Sequence, residues 1–177
     1  MEFEKTKIDG AVLIKRIPYE DERGSFARFF CAEEFGGVGI NTSYVQMNFC
    51  TNTNANTLRG LHYQIGRAAE DKLVVCVEGC VWDVCVDLRK DSPTYCQYVG
   101  YELSKTNGKM LFIPKGCAHG YLTLTANSNL VYLMSEFYIE NMSAGYRYDD
   151  PTFAIDWPIM NNLVISKKDA TLPFIEK

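Results

Sequence analysis

The sequence predicts an all-β protein that folds as a single sandwich or jelly-roll domain. Short runs rich in Val, Ile, Tyr and Phe alternate with turns rich in Gly, Asn, Pro and Ser, which is typical of strands joined by tight connections. Helical patterns are scarce, and 177 residues suit one domain. We find no linker, repeat or low-complexity tract, so we treat residues 1–177 as one domain with a few short helices.

Ten segments are predicted to be strands because β-branched, aromatic and other apolar residues dominate them. They are residues 11–17, 43–52, 57–63, 72–78, 80–87, 95–103, 109–113, 118–123, 130–137 and 145–148. Gly79 lies between two of them and indicates a tight hairpin. Helix is predicted only over residues 32–35, with a further turn at residues 167–170.

Composition excludes several classes of protein. The net charge of −4 offers no polycation for a nucleic-acid backbone. The seven cysteines are odd in number and form no C-x-x-C pair, so they indicate buried thiols in a reducing compartment rather than disulfides or a zinc site. No segment resembles a signal peptide or a membrane span of about 20 apolar residues. We therefore expect a soluble cytoplasmic protein with no nucleic-acid or membrane partner.

One carboxylate stands out in an otherwise apolar strand. Residues 80–87 are apolar on both faces, which predicts a central strand, and Asp83 lies within them. Because an unpaired buried carboxylate is costly, Asp83 should face a cavity or a partner.

The two histidines each lie in a distinct motif. His62 is in TLRGLHYQ and His119 in IPKGCAHGY. Either could be a structural histidine held by hydrogen bonds. The two-residue period of a strand, however, places His62 and Gln64 on one face, with Arg59 close by.

The spacing around both histidines resembles the cupins, a jelly-roll superfamily. Gly108, Pro114-x-Gly116 and His119 match the second cupin motif, and His62-Tyr63-Gln64 with Lys72 and Gly79 matches the first. Metal-binding cupins place a second imidazole where this chain has Gln64, and a carboxylate where it has Lys72. An ammonium group has no lone pair and repels a cation, so we predict a cavity without a metal. Unless Lys72 is solvated, it needs an anion, which could be a nucleotide phosphate or an enolate.

Further motifs, in a fixed order over roughly residues 21–173, resemble one family. They are DERGSF, QMNF, LRGLHYQ, DKLV, VWDVCVDLRKDSPTY, IPKGCAHGY, DDP with DWP, and SKKD. They are similar to the 3,5-epimerases of nucleoside-diphosphate-4-keto-6-deoxysugars, whose type member acts on dTDP-4-dehydrorhamnose. The resemblance implies a cupin jelly roll, a nucleotide-sugar substrate, no cofactor and a homodimer in which the N-terminal region reaches the partner subunit.

The resemblance also implies a role for each matching residue. His62 would be the general base, with Asp169 as its carboxylate partner. Lys72 would stabilise the enolate, and Tyr132 would be the acid on the opposite sugar face. By composition alone, Tyr132 could instead be a core residue, and Asp169 a helix cap. The implied substrate contacts are Arg23 and Arg59 for the nucleotide and diphosphate, Phe26 and Tyr138 for the base or sugar, the pair Asp83 and His119, and the polar residues Gln46 and Asn48.

Arg28 departs from the family pattern. Members specific for dTDP usually carry a glutamate after the DERG motif that contacts thymine, whereas this chain has Arg28 in GSFARFF. A change from acid to base alters which nucleobase edge can be recognised, so a CDP-linked or other nucleotide sugar stays open. Alternatively, Arg28 points to solvent or to a partner subunit.

Three other functions stay open at this point. A mono-epimerase would invert only C3 or C5, and the sequence does not separate it from a 3,5-epimerase. A metal cupin, such as a dioxygenase or a phosphomannose-isomerase-like enzyme, is disfavoured by Gln64 and Lys72. A non-catalytic sugar-binding cupin would need no acid–base set such as His62, Lys72, Tyr132 and Asp169.

Overall fold

The computed structural model describes residues 1–176, which form two β-sheets packed face to face, a separate hairpin and short helices. The strands are β1 (Glu2–Lys5), β2 (Val12–Lys15), β3 (Tyr19–Asp21), β4 (Gly24–Phe26), β5 (Gln46–Asn52), β6 (Thr57–Gln64), β7 (Lys72–Glu78), β8 (Cys80–Asp87), β9 (Tyr98–Ser104), β10 (Lys109–Ile113), β11 (Cys117–Thr123), β12 (Ser128–Met134), β13 (Ser143–Gly145) and β14 (Val164–Ile165). The helices are α1 (Ala32–Gly37) and α2 (Lys167–Ala170), with 3-10 turns at Gly66–Ala68 and Glu140–Met142.

The two sheets have the strand orders of a cupin-type jelly roll. The first runs β1-β2-β10-β7-β12-β5, and the second runs β13-β6-β11-β8-β9 with β14 beside β6. Neighbouring strands are antiparallel, except that β14 pairs with β6 in parallel. Strands β3 and β4 form a hairpin apart from both sheets. The predicted all-β jelly roll with few short helices is therefore confirmed.

Side-chain alternation along the strands separates the interior from two outer apolar layers. On β7, Val74 and Cys76 face the core between the sheets, whereas Leu73 and Val75 pack outward with Phe35 of α1. On the other sheet, the C-terminal segment brings Trp157 against the outer face of β8. Each such buried side chain contributes about 1.5–3 kcal/mol relative to an exposed one. With both outer faces covered, the polar side chains on the inner faces define the interior cavity.

Several predicted element boundaries were correct and others were wrong. Residues 72–78, 80–87 and 109–113 are strands as predicted. Residues 95–97 are not, because the buried Asp87 binds Ser92 and Thr94 and holds a turn there, and Cys96 has a φ of 63°. The strand predicted at 145–148 ends at Gly145, and the one predicted at 130–137 ends at Met134.

Neither α-helix within residues 1–176 is long and apolar enough to cross a membrane.

Candidate active site

A polar cavity of about 230 Å³ opens between the two sheets. The inner faces of four strands, β5, β6, β11 and β12, supply its walls together with Lys72, the first residue of β7. Its lining residues are Asn48, Cys50, Arg59, His62, Lys72, His119, Tyr121, Tyr132 and Met134. An adjoining cavity of about 190 Å³ shares His62, Lys72 and Met134 and adds Gln64, Glu70 and Tyr138. His62, Lys72 and His119, predicted from the cupin-like motifs, and Tyr132, implied by the family resemblance, thus surround one space.

A bulge in β6 allows Arg59 and His62 to face the same cavity. These residues are three apart, so a regular strand would point them to opposite faces. The pairing with β11 shifts by one residue, since His62 lies opposite His119 and Arg59 opposite Tyr121. The extra residue is accommodated at Gly60, whose φ is 123°. A Cβ at Gly60 would lie 2.5 Å from Cα of Gly120, so only glycine fits.

His62 is held by Asp169. Its Nε2 lies 2.9 Å from Oδ1 of Asp169, while Oδ2 accepts a hydrogen bond from the backbone N–H of Gly60 at 3.1 Å. Burial alone would raise the pKa of Asp169, but the hydrogen bonds from His62, Gly60 and Ser166 lower it, so the group stays ionised. Ser166, not Asp169, caps helix α2. The carboxylate can therefore fix the tautomer and orientation of the imidazole.

His119 and Asp83 form a second imidazole–carboxylate pair, deeper in the protein. Nε2 of His119 lies 2.8 Å from Oδ2 of Asp83, which is fully buried. Burial raises the pKa of Asp83, and the proximity of His119 and Lys72 only partly offsets this effect. Oδ1 of Asp83 has no hydrogen-bond partner in the described part of the chain. The expectation that Asp83 faces a partner group in the interior is met by His119.

Lys72 makes an ion pair that the sequence did not predict. Its Nζ lies 2.8 Å from Oε1 of Glu70. The other carboxylate oxygen of Glu70 accepts a hydrogen bond from Nε2 of Gln64 at 2.7 Å. The sequence predicts a phosphate or an enolate as the anion for Lys72, whereas the structure already pairs its ammonium group with a carboxylate. Within residues 1–176, no three His, Cys, Asp or Glu side chains lie close enough together to hold a metal ion.

Tyr132 faces the cavity from the first sheet. Its ring packs edge-on against His119, with ring centroids 5.8 Å apart, and lies beside Tyr121 at 6.5 Å. Burial raises the pKa of Tyr132 well above its ordinary value, and the neighbouring Tyr121 and Cys50 add to the effect. The phenol therefore keeps its proton at neutral pH.

Of the remaining predicted substrate contacts, one group lies in or at the mouth of this cavity and the other lies outside it. Arg59 lines the cavity and donates from Nε to Oδ1 of Asn52 at 3.0 Å. Asn48 lies opposite Tyr132 on the neighbouring strand. At the mouth, Gln46 accepts a hydrogen bond from the backbone N–H of Tyr138 at 3.1 Å, which places this half-exposed tyrosine at the entrance.

Arg23, Phe26 and Arg28 do not reach this cavity in the single chain. Arg23 and Phe26 lie on or next to the β3–β4 hairpin, which lines a separate surface groove of about 420 Å³. Arg23 pairs with Asp21, and Phe26 is 76% exposed. Arg28 forms an ion pair with Glu34 at the start of α1. The hairpin belongs to neither main sheet, and none of its residues lines the interior cavity.

Sequence reasoning missed four polar groups of the site. Tyr121 lies two residues after His119, and Cys50 and Asn52 continue the alternation that begins with Gln46 and Asn48. A consistent two-residue period would have found these three. No periodic signal identified Glu70, because it precedes the strand that carries Lys72.

The fold and the site together define a cupin-type protein with a cavity between its sheets that imidazole, ammonium and phenol groups line. The family model described as dTDP-4-dehydrorhamnose 3,5-epimerase matches residues 5–177. The chain belongs to this family.

Curated and solved relatives resemble nearly the whole chain. A dTDP-4-dehydrorhamnose 3,5-epimerase of Methanothermobacter thermautotrophicus is 40% identical over 94% of this chain and 90% of its own length. A crystal structure of the Bacillus anthracis enzyme of that name, with TDP and PPi bound, superimposes with a TM-score of 0.95 at 36% identity, covering 98% of this chain and 99% of the other. A Legionella pneumophila dTDP-6-deoxy-D-glucose-3,5-epimerase in complex with dTDP-4-keto-L-rhamnose gives 0.93 at 38% identity, covering 98% and 92%.

Proposed function

We propose that this chain is an isomerase that inverts both C3 and C5 of dTDP-4-dehydro-6-deoxyglucose. Family membership supports the reaction, and the relatives with TDP or dTDP-4-keto-L-rhamnose bound support a dTDP-linked substrate. Both carbons flank the 4-keto group, which acidifies their hydrogens. The reaction therefore needs a base, an acid and an enolate-stabilising cation, and no cofactor.

The observation that carries the proposal is the placement of His62 and Tyr132 on different sheets around one cavity. His62 is on β6 of the second sheet and Tyr132 on β12 of the first. A sugar ring between the sheets presents one face to the imidazole and the other to the phenol. Inversion requires a proton to leave one face and arrive at the other, which this arrangement provides.

Each inversion then proceeds in two proton transfers. His62 takes the hydrogen of C5 as a proton, the electron pair of the broken C–H bond forms a C4=C5 double bond, and the π pair of the 4-keto group moves to its oxygen, which gives an enolate. Lys72 stabilises the negative oxygen with its ammonium group. The enolate electrons return to form a C–H bond with the proton of Tyr132 on the opposite face. His62 then loses its proton to solvent, Tyr132 regains one, and C3 is inverted in the same way.

Asp169 and the second pair support these steps. The carboxylate of Asp169 stabilises the imidazolium that forms on His62, as in other carboxylate–histidine pairs. His119 lies on β11, next to β6, where Asp83 of β8 holds its imidazole, and it is a further donor for the keto oxygen. Arg59 supplies positive charge for the diphosphate, with Asn48, Gln46 and Tyr138 arranged toward the cavity mouth.

We also propose a homodimer in which the β3–β4 hairpin of each chain reaches the cavity of the other. The hairpin and the edge strand β5 expose large apolar side chains, since Phe26 is 76%, Met47 71% and Phe49 63% exposed. Exposed edges and apolar patches of this kind are commonly covered by association. This placement would bring Arg23 and Phe26 to a nucleotide, and would let Arg28 take part in base recognition.

We propose a cytoplasmic location because the cysteine thiols are not joined in disulfides. All seven cysteines are free, which suits a reducing compartment. Immunodetection of the protein in fractionated cells checks this proposal, and recovery from an oxidising compartment would contradict it.

Proton NMR in deuterated water tests the reaction. The purified protein is incubated separately with the dTDP-linked and CDP-linked 4-keto-6-deoxyglucose. We expect deuterium at both C3 and C5, and the inverted product, with the dTDP sugar. Exchange at one carbon only would identify a mono-epimerase, and turnover of only the CDP sugar would identify a CDP-linked epimerase. His62→Ala should abolish exchange at both carbons, and absence of exchange by the unsubstituted protein refutes the proposal.

A further inference from the structure

Glu70 is a buried carboxylate at the cavity wall to which the proposed mechanism gives no part. Only 2% of its side chain is exposed, and both of its oxygens are bound. Oε1 lies 2.8 Å from Nζ of Lys72, and Oε2 accepts from Nε2 of Gln64 at 2.7 Å. Because the two donors approach different oxygens, the carboxylate has one well-defined orientation.

The backbone beside Glu70 is fixed as firmly as its side chain. The N–H of Asp71 donates to Oγ of Ser135 at 2.8 Å, and the carboxylate of Asp71 accepts from the N–H of Lys115 and from the amide of Asn41, both at 2.9 Å. These bonds join the residues just before β7 to three other parts of the chain. Glu70 is thus a rigid anchor rather than a mobile counter-ion.

Lys72 needs such an anchor. A lysine side chain has four methylene groups and many rotamers, and its ammonium has no directional preference of its own. Its side chain is only 12% exposed, so solvent contributes little to holding it. The bond to Glu70 occupies one of its three hydrogens and leaves two for a substrate oxygen.

Gln64 links the same carboxylate to the cavity mouth. Its Oε1 accepts from the N–H of Ile139 at 2.7 Å, and its Nε2 also contacts the backbone oxygens of Ala68 and Phe137. These contacts fix which end of the amide faces Glu70. Phe137 and Ile139 flank Tyr138, so Glu70 is joined both to the interior cation and to the segment that carries the entrance tyrosine.

We infer that Glu70 is a positioning residue for the epimerisation: it sets the place of the Lys72 ammonium against the substrate's 4-keto oxygen. The inference rests on the proposed function. The negative charge of Glu70 also weakens the field of Lys72 at the enolate, so the two effects oppose each other. The effect of Glu70 on the position of the ammonium group is the larger one, because a cation displaced by about 1 Å can reduce a rate by about 100-fold.

Glu70→Gln separates the two effects, because it removes the charge while keeping size and one acceptor. We expect kcat to fall about 10-fold or more, with KM and the Kd for dTDP unchanged within about twofold. The matched control is Glu78→Gln, which breaks an exposed ion pair with Lys105 at 2.9 Å and should leave kcat unchanged. A kcat for Glu70→Gln equal to or above that of the unsubstituted protein overturns the inference, and so does a loss expressed only in KM.

Two measurements distinguish a positioning role from a merely structural one. Circular dichroism and dTDP binding report whether Glu70→Gln is folded. Should it fail to fold, Glu70→Asp serves instead, since it keeps the charge but withdraws the carboxylate by one methylene, and the same loss of kcat without a change of KM is expected. An Asp variant with full kcat refutes the role of placement. Absence of turnover by the unsubstituted protein refutes the proposed function and the inference with it.

Discussion

Replacing Asp169 with asparagine tests whether His62 works as a base through its carboxylate partner. Oδ1 of Asp169 lies 2.9 Å from Nε2 of His62, and Oδ2 lies 3.1 Å from the backbone nitrogen of Gly60. A carboxylate accepts on both sides, so it can bind both N–H groups. An amide of the same shape offers one acceptor and one donor, and can satisfy only one of these N–H groups in the same way.

The fixed backbone N–H of Gly60 determines the orientation of the side-chain amide in Asp169→Asn. If the amide NH₂ faced Gly60, two buried donors would oppose each other at a cost of about 1–3 kcal/mol. The amide oxygen therefore takes the Gly60 side, and the NH₂ donates to Nε2 of His62. Nε2 must then give up its hydrogen, which moves to Nδ1. The ring nitrogen left for the substrate becomes a donor and can no longer accept a proton.

The expected loss follows from the role of a general base. Such a group contributes about 10²–10⁴-fold to the rate, which corresponds to about 2.7–5.4 kcal/mol in the activation barrier. Because the substitution keeps the shape of the side chain and the hydrogen bond to Gly60, we expect the fold and the affinity for dTDP to be retained. The loss should therefore be in kcat.

The assay is the rate of deuterium incorporation at C3 and C5, followed by proton NMR in deuterated water. Asp149→Asn is the matched control, since this exposed aspartate pairs with Arg147 and lies outside the cavity. We expect both exchange rates to fall together in Asp169→Asn and to stay unchanged in the control. Exchange by Asp169→Asn within about threefold of the unsubstituted protein would show that the carboxylate does not set the tautomer.

Three further predictions follow from other parts of the structure. Tyr132→Phe keeps the ring that packs against His119, so folding and solvent exchange at C5 should persist better than inversion; full inversion at both carbons would exclude Tyr132 as the acid and favour Tyr138 or water. Burial would raise the pKa of Asp87, but hydrogen bonds from Arg89 and two hydroxyls hold it far below its ordinary value. The stabilisation that the ionised Asp87 gives the fold should therefore be present above about pH 4 and decline as the pH falls below that value. Asp87→Asn should lower the free energy of unfolding by about 2–4 kcal/mol in urea titrations at pH 7, and a variant as stable as the unsubstituted protein would contradict this role of Asp87. Analytical ultracentrifugation at micromolar concentration should give a dimer, which Met47→Glu on the exposed face of β5 should weaken; a monomer for the unsubstituted protein would contradict the proposed assembly.

How far the sequence predicted the fold depended on whether an element is buried. Strands β7, β8 and β10 lie inside a sheet, and their apolar runs gave the boundaries correctly. The β3–β4 hairpin and the two-residue β14 were missed, because they are short and largely exposed and carry little hydrophobic signal. Strand β1 was missed for the same reason, since its charged residues alternate with a single partly buried phenylalanine, Phe3.

The sequence predicted those residues of the candidate site that local motifs or the family resemblance identify. The motifs identified His62, His119 and Lys72, the family resemblance added Tyr132, and the structure places all four around one cavity. Contacts between distant segments were harder to predict. A buried lysine requires a counter-charge, but Glu70 and Asp71 are adjacent in the sequence, and only the fold shows which of them turns inward to meet it.

Because of the bulge at Gly60, the face on which Arg59 lies depends on how the residues of β6 are counted against those of β11. If the same residues of β6 paired regularly with β11, without the bulge, the side chains before Gly60 would turn to the opposite face of the sheet. Arg59 would then lie on the outer face, outside the cavity. The cavity would lose a cation although every residue that lines it was still encoded. An insertion or deletion that shifts Arg59 against His62 in this register would have the same effect, so a library that varies loop lengths should leave β6 intact.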